Sequence, residues 1–130
     1  LAVASLDMIT EKLIGKNIGV LICGGNNDIF RMPEIKERAL LYEGLKHYFL
    51  VNFPNRSGAL KQFVTQILGP NDDITHFEFS KKSFRTIAPA VIGIELKNIE
   101  DFSLLVERLK KHNFRFDYLN KNEDLFQFLI

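Results

Sequence analysis

Three clusters in this 130-residue chain have the residue types and spacing that chemistry requires. The first is Cys23-Gly24-Gly25-Asn26-Asn27-Asp28, where the single thiol stands beside two glycines and small polar side chains. At the end of a strand, such a run is where α/β proteins place ligand contacts. Taken alone it is a turn with positive φ next to a buried thiol. The second is Pro54-Asn55-Arg56-Ser57-Gly58, just ahead of an apolar run at helical spacing. A helix start exposes unpaired N–H groups and the positive end of the dipole, which suits a carboxylate. Ser57 is placed to cap that helix, and Gly58 lets the backbone approach a small ligand. On sterics alone the segment is simply a turn. The third is Asn71-Asp72-Asp73 with Thr75, where a carboxylate could pair with an ammonium group or remain a solvated turn residue. His47, His76 and His112 have no carboxylate or cysteine at ligand spacing, so no metal site is expected. Lys81-Lys82-Ser83-Phe84-Arg85 reads as a solvated hairpin, and no nucleophile–base pair or triad is visible.

The elements that must position these clusters follow from apolar spacing. Ala2, Leu6, Ile9 and Leu13 share a helical face, which predicts a helix over 1–14. Residues 17–22 are short and mostly apolar between a helix and a glycine turn, the pattern of a buried parallel strand. A helix is expected over 33–43, with Pro33 in its first turn. From residue 45 the pattern changes. Strands are expected over 46–53, 73–80, 87–96 and 114–119, the second with Thr75, Phe77 and Phe79 on one side. Helices are expected over 59–68 and 99–112, and a further helix over the tail 122–130. The order βαββαβ predicts an α+β, ferredoxin-like domain with two helices on one face of a four-stranded antiparallel sheet. The helix–strand–helix of residues 1–44 is too small to bury a core alone, and its lone strand would leave both edges open. The expectation is therefore a piece of a longer protein.

Composition narrows the function. Seventeen basic and sixteen acidic residues give a net charge of +1, which lacks the basic excess of a nucleic-acid binder. The expected third strand, Ile87-Ala88-Pro89-Ala90-Val91-Ile92-Gly93-Ile94-Glu95-Leu96, also lacks the aromatic pattern of RNA-recognition modules. One cysteine excludes an intramolecular disulfide. No apolar run approaches the ~18 residues of a membrane span. Twelve Phe and no Trp mean a core built from benzyl groups.

With these residues in place, a resemblance appears. The glycine turn at 23–28, the Pro33-Glu34-Ile35 helix, the run from Tyr42 to Leu60, the run from Leu68 to Phe79, the run from Gly93 to Asn98 and the tail 122–130 together resemble the biosynthetic threonine dehydratases. The resemblance implies that residues 1–44 correspond to the C-terminal end of a pyridoxal-phosphate catalytic domain. Residues 45–130 would be its ACT-like regulatory domain. It implies that Cys23, Gly24, Gly25 and Asn26 adjoin pyridoxal 5'-phosphate in the parent enzyme, with the Cys23 thiol facing the pyridine nitrogen. The family's Schiff-base lysine and phosphate loop lie upstream of this region. No catalytic residue, bound cofactor or deamination activity is therefore expected of the chain itself. The resemblance further implies an effector site at Asn55, Arg56, Ser57, Gly58, Ala59 and Leu60 with Asp73, Ile74 and Thr75. Its ligand would be L-isoleucine, with L-valine opposing, in a cytoplasmic homo-oligomer, dimer or tetramer. The alternative is an oligomerisation module without effector binding of its own. Neither nucleic acid nor membrane is an expected partner.

Overall fold

The computed structural model describes residues 2–25, 29–79 and 86–121. They form two compact units, one ending at Met32 and one beginning at Pro33. In the first unit the expected helix over 1–14 is divided into two single turns, α1 (Ala4–Asp7) and α2 (Thr10–Leu13). Ile9 between them has φ −128° and ψ 15°, outside the helical region. The Thr10 hydroxyl bonds to the carbonyls of Leu6 (3.1 Å) and Asp7 (3.2 Å), local contacts that compete with helix continuation. A helix this short has little stability without a packed face. The strand expected over 17–22 is not formed. It pairs with no strand among the described residues, and Leu21 and Ile22 are 81% and 78% exposed. The physical reason is that a buried parallel strand needs neighbours on both edges and cover on both faces. The described residues of this unit supply neither.

The second unit opens with α3 (Met32–Tyr42), whose Pro33 sits in the first turn, where a missing N–H costs nothing. Glu34 and Arg38 pair one turn apart at 3.1 Å. Gly44, at φ 69°, ends the helix. Its N–H donates to the Leu41 carbonyl (3.2 Å) and that of Leu45 donates to Leu40 (2.9 Å), the paired bonds of a Schellman stop. Then follow β1 (Lys46–Pro54), α4 (Ala59–Gln66), β2 (Asp73–Phe79), β3 (Ile87–Glu95), α5 (Asp101–Lys111) and β4 (Arg115–Tyr118), the expected order. The sheet order is β2-β3-β1-β4 with every neighbouring pair antiparallel. Because β1 and β2 both oppose β3, they point the same way, and their C-terminal ends lie at one end of the sheet.

Alternate residues of the central strands face α4 and α5. Phe49, Val51 and Phe53 of β1 and Ala90, Ile92 and Ile94 of β3 are buried with Phe63, Leu105 and Leu109 of the helices. Phe53 meets Phe63 and Phe114 edge-on, at 5.3 and 5.7 Å between ring centres. β2 departs from simple alternation. Its register passes from Ile74 opposite Ile94 to His76 opposite Gly93, so Thr75 is bulged out. Ile74, not Thr75, therefore shares the core side with Phe77 and Phe79.

Lys46 and Tyr48 point to the other face of the sheet and are nonetheless buried. Glu37 of α3 reaches both: its Oε2 lies 3.1 Å from Lys46 Nζ, and its Oε1 accepts the Tyr48 hydroxyl. Gly93 lies against the Tyr48 ring. A Cβ there would sit 2.8 Å from Tyr48 Cε1 and 2.9 Å from His76 Cβ, so a larger residue would force the ring aside. Past the end of β4, the Asn120 amide stands in for a strand. It accepts from the Tyr48 N–H (2.7 Å) and donates to the Lys46 carbonyl (2.9 Å). The helix expected over 122–130 lies outside the described residues.

Candidate functional site

β1 carries Pro54 to the end of the sheet, and the loop that follows is held by its own backbone. The Asn55 N–H donates to the Thr86 carbonyl (2.9 Å), and the Arg56 N–H turns back to Pro54 (2.8 Å). Gly58, at φ 84°, is the N-cap of α4, and no side chain caps the helix. The cap expected from Ser57 is not made. The helix starts one residue later, because Gly58 adopts a left-handed backbone that serine avoids, and the Ser57 residue stays exposed in the loop. The first-turn N–H groups of α4 are thus without a side-chain acceptor.

A depression of about 340 Å³ lies here, bounded by residues 54–61 and, from β2, by Phe79. One side is positive. It holds the uncapped helix start, Lys61, and Arg56, whose guanidinium donates to Gln62 Oε1 one turn along α4. The rest is apolar, from Ala59, Leu60 and the 40% exposed ring of Phe79. The arrangement suits a small molecule with a carboxylate at one end and an apolar body. Sequence reasoning missed Phe79, which it had assigned only to the face of its strand. Placing it beside the loop requires knowing that β1 and β2 end together.

The structure brings Asn55, Arg56, Ser57, Gly58, Ala59 and Leu60 together. Within one chain it does not bring Asp73, Ile74 and Thr75 to them. Asp73 lies in register with Glu95 and Lys46, whereas Pro54 is in register with Ile87. The start of β2 is therefore at the far end of the sheet, roughly 25 Å away along the strands. The Thr75 hydroxyl contacts the Gly93 carbonyl at 3.4 Å. Asp72 is used internally: its 3% exposed carboxylate accepts the Gly69 N–H (2.6 Å) and meets Arg108 (3.4 Å).

Cys23 is a free, exposed thiol, and Gly24 and Gly25 are exposed beside it. Asn26 lies outside the described residues. Among the described residues this open run has no enclosed lining that would hold a cofactor. Among the described residues no cluster of metal-ligating side chains occurs, and no helix is long and apolar enough to cross a membrane.

His47, in contrast, is buried. It stacks on Phe102 of α5 with ring centres 4.2 Å apart. Its Nε2 is 3.0 Å from the Gly44 carbonyl, which can only accept, so Nε2 carries the proton. Nδ1 then accepts the Tyr118 hydroxyl at 2.9 Å. Burial pushes the His47 pKa below its ordinary value, partly opposed by the bond to Gly44. Burial raises that of Tyr118.

Comparison with known proteins now bears on this geometry. Residues 37–129 match the family described as the C-terminal regulatory domain of threonine dehydratase. The chain is 53% identical over 130 residues to the biosynthetic L-threonine dehydratase IlvA of Bacillus subtilis (strain 168), covering all of this chain and 31% of that protein. It is 51% identical over 128 residues to the enzyme of the same name from Halalkalibacterium halodurans, covering 98% of this chain and 31% of that one. It is 50% identical over 129 residues to that of Lactococcus lactis subsp. lactis, covering 99% and 31%. The chain thus spans about a third of the length of these relatives. The four-stranded antiparallel sheet and the match over residues 37–129 agree, and the chain belongs to the family of C-terminal regulatory domains of threonine dehydratase.

Proposed function

We propose that the chain senses a branched-chain amino acid for a pyridoxal-phosphate-dependent threonine dehydratase of the cytoplasm. That enzyme converts L-threonine to 2-oxobutanoate and ammonia. In this reading residues 1–44 continue the catalytic domain and residues 45–130 are the sensor. L-isoleucine is the inhibitory effector, and L-valine opposes it. Cys23, Gly24, Gly25 and Asn26 approach the cofactor only when the rest of the catalytic domain is present, so the chain alone does not deaminate threonine.

The observation that carries this reading is the depression at residues 54–61. The uncapped start of α4 receives the effector's carboxylate, and Leu60 and Phe79 receive its side chain. A partner for the ammonium group comes from a second copy. The edge of β2 is open among the described strands, with Phe77 and Phe79 exposed on it and Leu60 exposed near Phe79. Two copies joined antiparallel along β2 would set the start of one strand beside the end of the other. Asp73, Ile74 and Thr75 of the second copy would then flank the loop that they cannot reach within one chain. Binding shifts the population of domain arrangements, with α3 joining the sensor to the segment before it.

Calorimetric titration of the chain with L-isoleucine, with L-valine and L-threonine as controls, tests the proposal. Saturable binding that favours isoleucine and weakens in Asp73→Asn supports it. A chain that is dimeric by sedimentation yet binds none of the three is an assembly module, and the sensor reading is then wrong.

A further inference from the structure

We propose that Tyr48 relays occupation of the effector site to α3. The inference rests on the effector-site reading above, in which Asp73, Ile74 and Thr75 meet the ligand. Those residues open β2, and Tyr48 stands between that strand and α3.

Thr75 is bulged out of β2, and its hydroxyl contacts the Gly93 carbonyl at 3.4 Å. Gly93 in turn lies against the Tyr48 ring, where a Cβ would come within 2.8 Å of Tyr48 Cε1. His76, the residue after the bulge, meets the same ring at 60°, with ring centres 6.0 Å apart. Its Nε2 is buried with no hydrogen-bond partner among the described residues, so that atom does nothing to anchor the imidazole against a push. Two neighbours of the bulge therefore bear on one ring. Tyr48 is 4% exposed, Lys46 Nζ lies 5.7 Å from its ring centre, and its hydroxyl donates to Glu37 Oε1 of α3. Close-packed groups pass a displacement on rather than absorb it. Which residue of a bulge stays unpaired is a discrete property of the strand, and a ligand that grips Asp73 and Thr75 favours one choice. Fixing the bulge fixes Gly93 and His76, and through them the ring whose hydroxyl holds α3. Tyr48 itself touches no ligand and acts as a positioning residue.

The test is amide hydrogen exchange of α3, read by mass spectrometry with and without saturating L-isoleucine, beside calorimetric titration of the same samples. In wild type, isoleucine should slow exchange over residues 33–42 by about fivefold or more, the lower end of ordinary coupling between sites. Tyr48→Phe keeps the ring and removes the bond to Glu37. It should bind isoleucine within about twofold of wild type, while the ratio of free to bound exchange in α3 falls to about one. His76→Ala removes the edge contact but leaves the Tyr48 hydroxyl in place. It should show the same loss, which keeps the test open if Tyr48→Phe does not fold. A merely structural Tyr48 would speed α3 exchange equally in the free and bound states and leave the ratio as in wild type, and that result overturns the proposal. Isoleucine that binds wild type without slowing α3 also overturns it, as does a folded variant that loses binding. A wild-type chain that binds no amino acid removes the effector site itself, and this inference with it.

Discussion

His47 shows how one side chain makes this domain sensitive to acid. Its ring is stacked on Phe102 and bonded at both nitrogens, to Gly44 and Tyr118, as the neutral form. Burial lowers its folded-state pKa from the ordinary 6.5. The unfolded chain therefore binds this proton more readily than the folded one. Its contribution to stability is whole above about pH 6.5 and is lost as pH falls toward the depressed folded value, at up to ~1.4 kcal/mol per pH unit. Urea unfolding from pH 7.5 to 5.0 should show this loss in wild type and a shallower one in His47→Gln. Equal slopes would mean that His47 takes up its proton without cost. Period-2 spacing puts His47 on the same side of β1 as Phe49, Val51 and Phe53, although a histidine at the start of a strand reads first as polar surface. Only the arrival of α5 and β4 over its ring decides the matter.

Between elements, the joint of α3 to the sheet is polar and enclosed. Glu37 is the carboxylate that pairs with the buried Lys46, whose ammonium also lies 5.7 Å from the centre of the Tyr48 ring, and it accepts the Tyr48 hydroxyl. Both that bond and burial raise the Tyr48 pKa, burial more. Removing Glu37 leaves Lys46 buried and unpaired, so Glu37→Ala should cost about 2–3 kcal/mol in denaturant unfolding. Replacing both Glu37 and Lys46 by Met should recover most of that loss, because the double change leaves no buried charge. A double variant as unstable as the single one would show that packing, not charge, is at stake. The two strands and two helices of the core were legible as period-2 and period-3.6 spacing around Phe49, Phe63, Ile92 and Leu105. The helix break at Ile9, the bulge at Thr75 and the glycine cap at Gly58 were not, since each depends on backbone geometry that apolar spacing does not encode. The unformed strand at 17–22 had the right composition but lacked the neighbours that make such composition a strand. The loop half of the candidate site was readable from its turn residues. The separation of Asp73 from that loop was not, because it follows from strand order.

For the molecule as a whole, the edge of β2, open among the described strands, is where the proposed pairing of two copies would form. The described edge carries Phe77 and Phe79 at 38% and 40% exposure, an apolar border that a second copy would cover. Sedimentation of the chain at tens of micromolar should show a dimer or larger species. Phe77→Lys should weaken that association at least ~10-fold while leaving the circular dichroism spectrum unchanged. A wild-type chain that sediments as a monomer at every concentration would place the paired-copy site out of reach. Seen as a chromophore, the same molecule has three tyrosines and no tryptophan. The Tyr48 hydroxyl is bonded to a carboxylate and that of Tyr118 to an imidazole, bases that accept the proton of an excited phenol. Tyr42, 94% exposed in the last turn of α3, is left as the main emitter. The near-ultraviolet emission of this protein is therefore a signal from the end of a helix, and the wall where a ligand would rest is dark.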